Sequence, residues 1–145
     1  LSRLQMKHSR HSSRRPDQTA VLLSIKPRFA QAILDGSKRF EFRRSLFRDQ
    51  SVSRVVIYAS SPMQRVVGEF SLAGVHSLPL EELWRRTRKY AGIDKEYFDA
   101  YFAGCDVGHA LEVGDIVCYE TPLRLEVVCG IKRPPQSFCY VNAGL

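Results

Sequence analysis

Three runs of strand length follow one another between residues 38 and 75: "KRFEFRR" (38–44), "SRVVIYAS" (53–60) and "QRVVGEFSLAGV" (64–75). Eight residues separate the first two and three the second pair, and this succession constrains the fold more than any other feature. Before them, a strand-length apolar run, "AVLLSIK" (20–26), is followed by a short helical stretch, "PRFAQAILDG" (27–36). That linker barely reaches the length a parallel crossover needs. After them come two helical stretches, "PLEELWRRTRKYAG" (79–92) and "KEYFDAYFAG" (95–104). Three more strands follow: "HALEVGDIVCYE" (109–120), "LRLEVVC" (123–129) and "SFCYV" (137–141). Strands in succession, with helices grouped between them, predict an α+β fold rather than a parallel α/β sheet. The expected form is a small mixed β-barrel of about five to six strands with three short helices.

Local chemistry supports the boundaries. Pro27 suits a first helical turn, where its missing N–H has no partner to lose, and Gly36 supplies a left-handed stop. Phe29, Ala30, Ile33 and Leu34 share one face of that helix. In the second helix Leu80, Leu83, Trp84 and Thr87 follow the i, i+3, i+4, i+7 spacing. Its acids, Glu81 and Glu82, precede its bases, Arg85, Arg86, Arg88 and Lys89, which suits the helix dipole. Asp94 is placed to cap the third helix, and Gly92 and Gly104 end the second and third. "EVGD" (112–115) reads either as a tight turn or as a bend within one continuous strand.

The net charge of +7 is unevenly spread. Residues 1–16 carry five basic side chains and no acid, whereas the other 129 carry 17 basic and 15 acidic. Any binding patch in the folded part must therefore come from clustering. Residues 1–19 read as a disordered basic tail with Met6 as a candidate start, and residues 20–145 as a single domain. The tail lacks the apolar run of a secretory signal, and no stretch reaches the roughly 18 apolar residues of a membrane span. A soluble, cytoplasmic protein is expected, monomeric by default. Cys105, Cys118, Cys129 and Cys139 are spaced too evenly for the close pairs of a zinc site. They read as reduced, mostly buried thiols, and no metal or cofactor is expected.

Within "KRFEFRR", alternation puts Phe40 and Phe42 on one face and Arg39, Glu41 and Arg43 on the other. Gly36-x-Lys38-x-x-Glu41-x-Arg43 resembles the GxKxxExR signature of the ASCH (activating signal cointegrator homology) domain family. This family belongs to the PUA-like superfamily of small β-barrels. "LSIKPRFAQAILDG" (23–36), "VVIYASSP" (55–62), "VVGEF" (66–70) and "GIKRPPQSFCYV" (130–141) are similar to further segments of one branch of that family. The resemblance covers residues 21–141. It implies a pseudo-barrel with a cleft lined by the motif residues and a role in handling RNA or modified bases. Some family members look like ribonucleases. One branch hydrolyses an acetylated cytidine nucleoside, with a threonine nucleophile where this chain has Glu41. A carboxylate cannot replace that hydroxyl, so its chemistry is not carried over.

Lys38 offers three donors to a phosphate or a base carbonyl, and Arg43 a planar fork for phosphate. Glu41 lies between them as organiser or as acceptor for a base amino group. Tyr58, Ser60 and Ser61 in "YASSP" are candidates for stacking on a base or donating to phosphate. Lys26 closes the first strand. Lys132, Arg133, Gln136 and Ser137 sit in a stiff Pro-Pro segment. Lys38, Glu41 and Glu69 are candidates for acid–base work, Glu69 as an acid inside an apolar strand. His76 and His109 each read as isolated. The favoured reading is a domain binding RNA or a modified nucleotide or nucleoside. The alternatives are a ribonuclease or modified-nucleoside hydrolase, and a regulatory domain that docks through the basic helix around Trp84.

Overall fold

A computed structural model describes residues 19–136 and 138–142. Residues 1–18 of the segment expected to be disordered, and Ser137, lie outside the described residues, whereas Thr19 opens a strand. The elements run β1 (Thr19–Ile25), α1 (Pro27–Leu34), β2 (Phe40–Arg43), β3 (Val52–Ala59), β4 (Arg65–Pro79), α2 (Leu80–Thr87) and a 3₁₀ turn (Arg88–Tyr90). They continue with α3 (Lys95–Tyr101), β5 (Val107–Leu123), α4 (Leu125–Cys129) and β6 (Phe138–Asn142).

The fold is α+β. Among the described residues six strands form one mixed sheet in the order β2-β5-β4-β3-β1-β6. Among the described strands β2 and β6 are the edges, so the barrel-like sheet expected is not closed. β1 and β3 run parallel, Val21 beside Val55 and Ile25 beside Ala59. The chain makes this crossover by placing α1 and β2 between them, β2 joining the far edge of the sheet against β5. All other pairs are antiparallel.

Three apolar clusters hold the layers together. On one, α1 packs Ala30 and Ile33 against Leu23, Ile25, Val55 and Ile57. A second joins Leu22, Val56, Tyr58 and Val66 to Leu125 and Val128 of α4. The third seats α2 and α3 on β2 and β5 through Phe42, Leu83, Phe98 and Phe102. Truncating any of these aromatic side chains to alanine costs about 3–5 kcal/mol.

In the C-terminal third one expectation is overturned by tertiary packing, and of the two readings of "EVGD" the continuous strand holds. "LRLEVVC" is a helix, α4, and not a strand. Its valines favour a strand locally, but Leu125 and Val128, three apart, both bury on one helical face, and Gly130 ends the turn at φ +75°. "EVGD" is no hairpin: β5 runs through it unbroken. Gly114 has no Cβ to strike Ser71, which lets the Asp115 N–H donate to Ser71 Oγ at 2.8 Å where the β4–β5 register shifts. The long basic helix expected over 79–92 tightens after Thr87 into the 3₁₀ turn. The cysteines are free but less buried than expected: three are half-buried and Cys118 is exposed.

Candidate ligand-binding cleft

The junction between α1 and β2 is built by local hydrogen bonding. Gly36 turns left-handed at φ +90°. Ser37 folds back, donating its N–H and hydroxyl to Asp35 Oδ1 at 2.9 and 2.7 Å. The Lys38 N–H then donates to the Ala32 carbonyl at 3.0 Å. This fixes the start of β2 and sends the Lys38 side chain inward, beneath the backbone of Gly92. The Lys38 ammonium donates to the Ala91 carbonyl at 2.6 Å and lies 5.0 Å from the ring centres of both Phe29 and Phe42. Only 2% of the residue is exposed.

A buried ammonium with one hydrogen bond is costly to keep charged. Burial pushes the Lys38 pKa down from 10.5 to about 8, with the Glu41 carboxylate opposing the shift. Glu41 is buried as well, and burial raises its carboxyl above the ordinary range against the pull of Arg43 and Lys38. Arg43 Nη1 donates to Glu41 Oε2 at 3.2 Å. Lys38 and Glu41 are thus shifted toward each other from opposite ends of the scale, the kind of perturbation that clusters at functional sites.

These groups face a cavity of about 130 Å³. Ser24 and Lys26 enter it from the end of β1 and Phe29 from α1. Lys38, Glu41, Phe42 and Arg43 line it at β2, and Ile93, Tyr97 and Tyr101 close it from the α3 side. Asp94 caps α3 by accepting the Tyr97 N–H at 2.8 Å. Tyr97 meets Phe29 edge-on, ring centres 5.4 Å apart, and the Lys26 ammonium stands 5.9 Å from the Tyr97 ring centre. The Tyr101 hydroxyl donates to the Phe42 carbonyl at 3.1 Å, and burial raises its pKa. The result is an aromatic-walled recess with Lys38 and Glu41 buried in it and Arg43 and Lys26 more exposed, suited to a planar polar group carrying an anion.

The cleft gathers Lys26, Lys38, Glu41 and Arg43. The other residues proposed from sequence lie elsewhere. Tyr58 is buried in the second apolar cluster. Ser60 is held in the turn after β3, its N–H donating to the Ile25 carbonyl at 2.9 Å, and Ser61 is exposed ahead of a cis proline. Lys132, Arg133 and Gln136 are exposed and do not line the cavity. Glu69 is 5% exposed, but both its carboxylate oxygens are engaged: Arg54 Nε donates to one at 3.0 Å and the Tyr119 hydroxyl to the other at 2.7 Å. The histidines are not isolated. His76 pairs with Glu112 at 2.8 Å and His109 with Ser77 at 2.7 Å, both on the β4–β5 ladder. Among the described residues no group of three or more His, Cys, Asp or Glu side chains is placed to hold a metal ion. No helix among them is long and apolar enough to cross a membrane.

Residues 23–117 match the family model of the ASCH domain. The chain belongs to the ASCH family. The ASCH domain-containing ribonuclease of Zymomonas mobilis is 30% identical to it over 130 residues, 88% of this chain and 87% of that protein. The crystal structure of ASCH from Zymomonas mobilis superposes with a TM-score of 0.79 at 28% identity, covering 87% of this chain and 90% of that one. The large ribosomal subunit protein uL22 of Ureaplasma parvum is 30% identical over 133 residues, and this chain spans 42% of its length. The GxKxxExR residues of this ASCH chain fall within the matched segment.

Phe29, Ile93, Tyr97 and Tyr101 were not singled out as site residues by sequence. Phe29 and Tyr101 read as ordinary inward positions of amphipathic helices. Only the packing of α3 against α1 turns them into a wall.

Proposed function

We propose that this ASCH domain binds RNA or a modified nucleotide in the cleft at Lys38, Glu41 and Arg43. The observation that carries the reading is the burial of Lys38 and Glu41, with Arg43 half-buried beside them, around one small aromatic-walled recess. Charges stay buried at such a cost only where a partner offsets it. The Lys38 ammonium keeps two N–H donors beyond its bond to Ala91, the number a base carbonyl and a ring nitrogen accept. Glu41 is an acceptor for an exocyclic amino group. Lys26 and Arg43, nearer the rim, suit the phosphate, and Tyr97 offers a ring for stacking. The relation to a protein named as an ASCH domain-containing ribonuclease supports RNA as the ligand class.

The test is binding of single-stranded RNA over a range of salt concentrations. Replacing both Lys38 and Arg43 by alanine is expected to weaken binding by about a hundredfold or more, since bonds to charged groups contribute about 1.5–3 kcal/mol each. Unchanged affinity, or binding that depends only on residues 1–16, rejects the reading.

The opposed pKa shifts of Lys38 and Glu41 favour a second reading, in which the bound RNA or nucleoside is also cleaved with these groups moving protons. Turnover that Glu41→Gln abolishes in a folded protein supports it. Turnover indifferent to Lys38 and Glu41 dismisses it.

A further inference from the structure

A second groove, about 290 Å³, opens on the other side of the wall formed by Phe29, Ile93 and Tyr97. Those three side chains line both spaces, so the two chambers share one partition. Each chamber has a cation set against the Phe29 ring. Lys38 lies 5.0 Å from the centre of the Phe29 ring and lines the inner recess. The Arg28 guanidinium carbon lies 4.7 Å from the same ring centre and 5.6 Å from that of Tyr97, and lines the outer groove. Both cations approach the one Phe29 ring, at 5.0 and 4.7 Å from its centre. Ala32 and Gly92, both small, also line the outer groove and leave room for a flat group. Asp94, whose side chain accepts the Tyr97 N–H, lines it too.

We infer that the outer groove is a second subsite, and that the ligand is a single-stranded segment of at least two nucleotides threaded past the Phe29–Tyr97 partition. This rests on the nucleotide reading of the inner recess and adds to it. One base occupies the inner recess. The next lies over Ala32 and Gly92 against the Tyr97 ring, and Arg28 holds the phosphate that joins them. The arrangement explains why an exposed arginine is parked on two aromatic rings: cation–π contact orders the fork while leaving its N–H groups for an anion.

The experiment is competition against a labelled mixed-sequence RNA hexamer by the four nucleoside 5′-monophosphates and by dinucleoside phosphates of the same bases. Stacking and one phosphate contact predict that the best dinucleotide competes about tenfold to a hundredfold better than the best mononucleotide. In Arg28→Ala that ratio falls toward one, and the salt slope of hexamer binding shrinks by about 0.7. Equal competition by mononucleotides and dinucleotides, or a ratio that Arg28→Ala leaves unchanged, overturns the second subsite while the nucleotide reading stands. If no nucleotide of any length competes and the hexamer itself does not bind, both fall together.

Discussion

Lys38 and Gly92 pack so closely that a Cβ on Gly92 would lie 2.6–2.8 Å from three carbons of the lysine stem. Gly92 also sits at φ +71°, where a side chain is strained regardless of space. The glycine ends the α2 region and at the same time roofs the lysine, so one residue both stops a helix and sets the position of the ammonium. Gly92→Ala is expected to displace Lys38, destabilise the fold by about 1–3 kcal/mol and weaken ligand binding as strongly as Lys38→Ala. Gly104→Ala is the control. Gly104 has φ +87°, and a Cβ there would meet nothing within 4 Å, so it carries the backbone cost alone and leaves binding intact. Denaturant melts and ligand titrations on the two variants separate the effects.

The buried ammonium makes stability depend on pH in a defined direction. The unfolded chain holds the Lys38 proton up to 10.5 and the folded chain only to about 8. Between those values the unfolded state binds more protons, so the Lys38 contribution raises stability as pH rises from about 8 to 10.5. The Cys139 thiol works against it. Burial and the neighbouring Cys129 hold its pKa at about 11, against an ordinary 9, and that contribution is lost as pH climbs through this range. The readout is therefore the difference between the wild type and Lys38→Met, which keeps a long apolar stem. Urea melts across pH 7 to 11 are expected to show wild-type stability gaining on the variant from about pH 8 upward. A constant difference contradicts the buried charged lysine.

Two glutamates of similar burial have opposite roles. Glu69 neutralises Arg54 beneath α4, and removing one partner of a buried pair costs about 3–5 kcal/mol. Glu69→Ala is expected to destabilise by that amount in urea melts and to leave the ligand affinity of the folded protein unchanged. Glu41 faces the cleft and is already penalised for its charge. Glu41→Gln is expected to be neutral or stabilising in the same melts and to weaken binding at least tenfold.

Sequence made the α1–β2 junction legible because its determinants are local. Pro27, Gly36 and the alternation around Glu41 fix a helix, a stop and a charged strand within seventeen residues, and Asp94 caps α3 as its position suggests. What it could not reveal depends on distant packing. The burial of Lys38 comes from Gly92, 54 positions away, and nothing near Lys38 announces a roof. Glu69 reads as a free acid because its partner, Arg54, is supplied across the β3–β4 ladder, where register decides the pairing. Tyr97 and Ile93 carry no local signature of a site; they become one when α3 docks beside α1. The helix at Leu125 is set by the cluster it covers rather than by its valines.

The central claim, that ligand binds at the buried charged recess, is tested most directly by nuclear magnetic resonance. Isotope-labelled full-length protein is titrated with a short single-stranded RNA, and backbone amide shifts are followed. Perturbations are expected to centre on Ser24–Phe29, Lys38–Arg43 and Ile93–Tyr101, and to be abolished in Lys38→Ala/Arg43→Ala. Shifts confined to residues 1–16, or mapping to the β4–β5 ladder around His76 and His109, would contradict the claim.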